Sequence, residues 1–373
     1  MNNTIILSLF LLVSVPVSLT GQNTDTSRLT ILFAGDIMGH DSQIEAAFYP
    51  DSGVYDYQVC FEYLKPIISK ADIALGNLEV TFAGPPYKGY PRFSSPDELS
   101  TALDDAGFDI LINANNHALD RGRDGLERTL SLLEKDGMIF TGSFKSKEDR
   151  DLCYPLLVEK NNILLAILNY TYGTNELKTT PPNIVNYIDT AVIRKDIRKA
   201  LAGNPDFIIA CLHWGREYER EAHETQKDLA RWLFNEGVRV IIGSHPHVIQ
   251  PVEIIYPETN STDFQLVAYS LGNFISNQRE RYRDGGIIFE LELIKTEKTN
   301  IAGYSYLPVW VHKPRINGKT HFRLIPANMP VEDNESVNLT EEDLEKFEQF
   351  KEDTRAHLKN ITEYTFYPDI QSQ

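Results

Sequence analysis

The sequence predicts an α/β fold in which a largely parallel sheet is followed by a mixed or antiparallel one. Three observations predict it. Apolar strand-like runs alternate with helical patterns from about Leu29 to Gly243, which implies right-handed crossovers between parallel strands. Beyond Gly243 the strand-like runs continue without long helices between them. Finally, five runs in the first part end in Asp, Glu, Asn or His, where open α/β sheets place their chemistry.

The first strand, 29–34, runs into Gly35-Asp36-Ile37-Met38-Gly39-His40. A helical pattern over 57–69 leads to the run 73–75 and then Gly76-Asn77-Leu78-Glu79. A second helix over 96–106, closed by Gly107, precedes the strand 110–112, which opens into Asn113-Ala114-Asn115-Asn116-His117. The helix expected over 125–135 closes at Gly137, and another is expected over 190–201. The strand 207–212 then delivers His213-Trp214-Gly215. A helix over 225–235, closed by Gly237, leads to the strand 238–242 and to Gly243-Ser244-His245-Pro246-His247. These helices place apolar residues at three- and four-residue spacing, and the glycines suit C-terminal caps. Strands are expected next over 265–274, 286–294, 304–311 and 320–325. A charged helix over 340–358, lying on the surface, ends the pattern.

Length and composition suit one sizeable enzyme-like domain. The chain has 373 residues, 42% apolar and 24% charged, enough to bury one large core or two unequal ones. Its net charge of −17 argues against a nucleic-acid binder, because no broad basic surface is available to neutralise phosphates. Positive charge clusters locally at Arg279, Arg281 and Arg283, a candidate anion-binding loop; a solvated loop paired to Glu280 is the competing reading. Cys60, Cys153 and Cys211 are too few and scattered for a disulfide framework. Cys211 reads as a small core residue, and a Cys60–Cys153 bridge is left open.

Residues 5–19 form an apolar stretch interrupted by Pro16 and followed by Thr20-Gly21-Gln22. This suits a secretory signal over 1–22 better than a membrane span, although Met1-Asn2-Asn3-Thr4 carries no Lys or Arg. No cysteine lies near residue 20 to carry a lipid anchor. The expected organisation is therefore a signal over 1–22, a domain over 28–330 and a helical tail over 331–373. The destination is the periplasm or cell envelope.

The His-x-His pair at 245 and 247 points to a metal site, and the other strand ends raise the donor count to six or seven, enough for two divalent ions sharing a carboxylate. Trp214 and Tyr218 are candidates for a substrate groove, with packing the competing reading. Asp120 and Asp124 resemble helix N-terminal carboxylates. His223, His312 and His321 have no neighbouring ligand residues and carry no role. A nucleophile elbow, a P-loop and a dinucleotide fingerprint are all absent from the sequence.

Six motifs taken in order resemble a known family: Gly35-Asp36-Ile37-Met38, Gly76-Asn77-Leu78-Glu79, Asn115-Asn116-His117-Ala118-Leu119-Asp120, His213-Trp214-Gly215-Arg216-Glu217-Tyr218, Gly243-Ser244-His245-Pro246-His247 and Ser270-Leu271-Gly272-Asn273-Phe274. Over roughly residues 29–290 they look like the CapA-type capsule synthesis proteins linked to poly-γ-glutamate, which are similar to calcineurin-like metallophosphoesterases. The resemblance implies a four-layer α/β/β/α sandwich. It implies Asp36 and His247 on one metal, Asn116, His213 and His245 on the other, and Glu79 between them, the ions being Mn²⁺, Zn²⁺ or Fe²⁺. His117 corresponds to the histidine that protonates a leaving group or steadies an oxyanion. Two departures stand out. Metallophosphoesterases usually begin with Asp-x-His, whereas here the first histidine is His40, either a ligand or a hydrogen-bonding neighbour. Their bridging residue is commonly Asp, whereas here Asn77 and Glu79 occupy that loop. The implied function is an exported metal-dependent hydrolase acting on an anionic polymer or phosphoester. The alternative is a non-catalytic factor that binds metal and polymer in capsule assembly.

Overall fold

A computed structural model describes residues 26–256, 264–330 and 337–365. The signal segment expected over 1–22 lies outside them. Among the described residues no helix is long and apolar enough to cross a membrane.

The α/β class holds, but the chain divides its strands between two sheets differently from the sequence expectation. The first sheet takes β1 (Ser27–Ile37), β2 (Ile73–Leu78), β3 (Ile110–Ile112) and β4 (Ile139–Thr141) in parallel register. The second takes β5 (Leu156–Lys160), β6 (Ile163–Thr171), β7 (Phe207–His213), β8 (Val240–Ser244), β9 (Val252–Ile255) and β10 (Gln265–Ala268). The chain then returns to the first sheet. Here β11 (Asn273–Ile275) pairs parallel to the end of β1 on the edge opposite β2, and along the same edge β12 (Gly285–Lys295) pairs antiparallel to β1, with β13 (Thr299–His312) and β14 (Arg323–Pro326) extending the sheet antiparallel beyond it. The run expected as one strand over 265–274 is thus two strands in different sheets. It breaks at Ser270-Leu271-Gly272, where Gly272 takes φ +72°. Strand β6 was not expected, although it is the partner of β7 in parallel register.

Three apolar clusters hold these elements. Leu29, Ile31 and Phe33 of β1 meet Leu165, Ile209 and Ile242 in a core between the sheets. On the other face of β1, Leu32 and Ala34 join Leu64, Leu99 and Leu103, so the helix Glu98–Ala106 covers the first sheet. The helices Thr190–Ala202 and Glu224–Asn235 cover the second through Ile193, Ile197 and Leu233, against Leu168, Ala210 and Ile241. Strands buried on both faces read as unbroken apolar runs, which is why β1, β7 and β8 are legible without alternation. Full burial of each such Leu, Ile or Phe contributes roughly 1.5–3 kcal/mol. The helix expected over 57–69 is two short turns, Gln58–Phe61 and Lys65–Ile68, with Pro66 in the first turn of the second. The acidic helix Glu341–His357 is seated rather than free, burying Phe347 and Phe350 beside Trp310. Cys60, Cys153 and Cys211 are all free thiols, so the bridge left open by the sequence does not form, and Cys211 is a core residue of β7.

Gly243 of β8 shows how tightly this edge is built. A Cβ there would lie 1.9 Å from the Tyr269 carbonyl oxygen and 2.5 Å from Trp214 Nε1, splitting the 2.9 Å hydrogen bond that Trp214 donates to Tyr269. Gly243→Ala is expected to cost about 3 kcal/mol by overpacking. Gly173→Ala, where an added Cβ meets nothing within 4 Å, should shift stability by less than about 0.5 kcal/mol. Thermal unfolding of the two variants checks the contrast; equal melting temperatures would contradict it.

Candidate metal centre

The carboxyl ends of parallel strands from both sheets converge on one buried cluster. Asp36 ends β1 beside a β-bulge on the β2 side, and its backbone N–H donates to Gly272 O at 3.0 Å. Gly35 permits this approach, since a Cβ there would lie 2.0 Å from the same carbonyl oxygen. Glu79 follows β2, Asn116 and His117 follow β3, His213 ends β7, and His245 and His247 follow β8. His245 and His247 hold φ +98° and +57°, a left-handed conformation that L-residues adopt only when their surroundings fix it. Such strain is what aiming two imidazoles from one turn into one place costs.

Two donor groups share Glu79. Glu79, His245 and His247 bring ligand atoms within 4.8 Å of one another, as do Asp36, Glu79 and His213. Asp36 Oδ2 lies 3.0 Å from His247 Nδ1, and His213 Nε2 lies 2.8 Å from Asn116 Oδ1 and 3.5 Å from Glu79 Oε1. Asp36, Glu79 and His213 are fully buried.

The electrostatics favour a cation. Burial, then the charge of Asp36, raises the Glu79 carboxyl well above its ordinary value. Burial also works against the Asp36 charge, but hydrogen bonds and charges from His247, with Asn77, hold that carboxyl below its usual value. Burial, then the neighbouring imidazoles, drives His213 well below the usual range and His245 down to about 3, so both rings are neutral donors. Glu79 Oε1 and His245 Nδ1 have no hydrogen-bond partner. Orphaned buried acceptors beside a second carboxylate are costly unless a cation joins them, and this oxygen-and-imidazole set suits a divalent ion.

Sequence reasoning missed the neutral residues that orient these donors. Asn77 Nδ2 donates to Asp36 Oδ1 at 2.8 Å and lies 3.3 Å from His213 Nδ1, while Ser244 Oγ lies 3.0 Å from the same nitrogen. Asn273 Oδ1 lies 3.1 Å from His247 Nδ1. Tyr172 stands 4.5 Å from the His245 ring. The signal for Asn77 was its position in the second motif; Tyr172 follows the unexpected β6 and had none.

His117 does not join either donor group. Its Nδ1 lies 2.7 Å from Asp120 Oδ2, which also accepts the Phe93 backbone N–H at 2.7 Å. Asp120 is thus a buried partner of His117, correcting its reading as a helix N-terminal carboxylate. With a carboxylate accepting at Nδ1, the proton sits there and Nε2 is left for the cavity that His117 lines. That cavity, about 410 Å³, is also lined by His40, Tyr218, His247 and Arg283.

The remaining candidates fall in varied places. His40 lies outside both donor groups; its Nδ1 accepts the Asn277 backbone N–H at 3.2 Å and lies 3.1 Å from Gln43 Oε1. Trp214 is packed against Tyr269 and does not line that cavity. Arg279 lines it but donates to Val311 O at 2.6 Å, and Arg281 turns away to pair with Asp353 at 2.7 Å. Arg283 alone of the three stacks on the cavity wall, 3.5 Å above the Tyr218 ring.

Residues 30–278 match the family model of the bacterial capsule synthesis protein PGA_cap. The chain is 31% identical over 282 residues to the PGA biosynthesis protein CapA of Bacillus subtilis (strain 168), a match covering 70% of each chain. It is 27% identical over 284 residues to the capsule biosynthesis protein CapA of Bacillus anthracis, covering 72% of this chain and 64% of that one, a little under two thirds of its length. Among solved structures it is similar to the calcineurin-like phosphoesterase YfkN from Bacillus subtilis, with 15% identity and a TM-score of 0.43 over 90% of this chain and 99% of that one. The ordered strand-end motifs and the match over two thirds of the sequence lead to one conclusion: the chain belongs to the bacterial capsule synthesis protein PGA_cap family.

Proposed function

We propose that this protein is an exported, metal-dependent hydrolase of capsule or poly-γ-glutamate metabolism that cleaves an anionic polymer or phosphoester. The observation that carries the reading is the shared cavity: His117, held by Asp120, and His247, from the donor cluster, open onto the same space. A site that only stored metal has no use for an oriented imidazole beside the donors.

In this reading Asp36 and His247, 3.0 Å apart, would hold one divalent ion, Asn116, His213 and His245 would hold the other, and Glu79, common to both donor groups, would be available to each. The donor types suit Mn²⁺, Zn²⁺ or Fe²⁺. Bound there, the ions supply Lewis-acid polarisation of the bond under attack and an acidified attacking water. The protein's own residues do the rest. Asn77, Ser244 and Asn273 fix the donor side chains. With Nδ1–H held by Asp120, His117 would act in its doubly protonated form, giving the Nε2 proton to the departing oxygen or nitrogen as the water oxygen bonds to the centre under attack and the bond to the leaving group breaks; the proton released by the attacking water would return to Nε2. The similarity to two CapA proteins of capsule and PGA biosynthesis supports the capsule assignment. The acidic net charge, −17, argues against nucleic acid as the partner. Hydrolysis of a phosphoester panel and of poly-γ-glutamate, each with and without chelator, tests the reading: chelator-sensitive turnover is expected. Metal-bound protein inert on the whole panel would overturn it.

Export gives a separate expectation. Protein recovered from the envelope fraction should lack roughly the first 20 residues, the length of a signal segment, by intact-mass analysis. A mass beginning at Met1 would contradict signal cleavage.

A further inference from the structure

We infer that Arg283 is a specificity-determining residue that binds a second anionic group of the substrate, next to the group under attack. The inference rests on the hydrolase reading for the place of attack, and extends it to a substrate with negative charges at neighbouring positions.

The three arginines of this loop are spent differently. Arg279 donates to a backbone carbonyl and Arg281 makes a two-point pair with Asp353 of the helix Glu341–His357. The Arg283 guanidinium makes no hydrogen bond within 3.5 Å among the described residues; its nearest carboxylate is Glu280, at 3.7 Å, and its side chain is 28% exposed. It lies flat 3.5 Å above the Tyr218 ring. Stacking fixes the plane of a guanidinium while leaving its edge donors free, the arrangement that binds a carboxylate or phosphate through two parallel bonds.

Its position is tied to the donor cluster. Asn273 Nδ2 donates to the Arg283 carbonyl oxygen at 2.8 Å, and Asn273 Oδ1 lies 3.1 Å from His247 Nδ1. One asparagine therefore sets the distance between the arginine and a candidate metal ligand. Tyr218 adds a second tie, its ring 6.2 Å from that of His247 while its backbone N–H donates to Pro246 O at 2.7 Å. Tyr218 holds φ +68°, a strained conformation kept where the platform is needed. The cavity also carries Glu217, Glu280 and Arg279, and because Arg279 donates to the Val311 carbonyl oxygen, Arg283 supplies the guanidinium edge left free there.

The test is equilibrium binding, which does not depend on turnover. Calorimetric titration of the metal-loaded protein with a polyglutamate oligomer and with the same oligomer amidated at its side chains should show tighter binding of the charged form. Arg283→Gln should weaken the charged oligomer roughly 10- to 100-fold, the span of a charge-assisted hydrogen bond, and leave the amidated one unchanged. Arg283→Lys should fall between, since an ammonium lacks the two-point edge; its melting temperature serves as the folding control. Equal binding of the charged oligomer by wild type and Arg283→Gln, or wild type blind to the charge, overturns the inference. Charge-dependent binding without hydrolysis of any substrate would overturn the hydrolase reading and leave this one standing.

Discussion

Glu79→Gln should empty the metal centre while making the metal-free protein more stable. Glu79 is common to both donor groups, so its loss is expected to lower affinity at both positions, by more than the roughly 10- to 100-fold typical of a residue that only orients a ligand. The same side chain is a buried carboxyl with an orphaned oxygen beside Asp36. Replacing it by a neutral amide of the same shape removes an uncompensated burden from the metal-free fold. Thermal unfolding in chelator should therefore show a higher melting temperature than wild type, and added Mn²⁺ or Zn²⁺ should raise wild type but not the variant. A residue serving the fold alone would give the opposite: lower stability and retained metal.

His117→Asn should spare the metal and damage the chemistry. General acid catalysis contributes about 10²–10⁴-fold, which sets the expected fall in kcat. Metal content should be that of wild type, because His117 stands outside both donor groups and its Nδ1 is occupied by Asp120. Asp120→Asn should lose part of the same activity through a misoriented ring. The loss in both variants should shrink on substrates with good leaving groups, which need no proton; a fall that ignores the leaving group, or any loss of metal from His117→Asn, would refute the assignment.

The donors were legible in the sequence because parallel strands buried on both faces read as continuous apolar runs, and their carboxyl ends are marked by polar residues that an apolar run does not otherwise need. Asp36, Glu79, His213, His245 and His247 all come from that signal and all converge. The division into two sheets was not legible. It depends on β12 pairing with β1 across more than two hundred residues, and local pattern carries no information on such pairing. Strand β6 also escaped, and with it Tyr172. The arginine loop showed the same limit: three equally spaced cations read alike, and only packing against Asp353, Val311 and Tyr218 separates two structural arginines from one turned to the cavity.

The central claim is that two carboxylates and three imidazoles from four strand ends form a divalent-metal centre that drives hydrolysis. Elemental analysis of the purified protein, run alongside activity before chelation, after chelation and after restoring Mn²⁺, Zn²⁺ or Fe²⁺, tests it most directly. The account predicts up to two equivalents of divalent metal per chain, with turnover lost and regained in step with them. Protein that takes up no divalent metal, or whose turnover is indifferent to its removal, would contradict it.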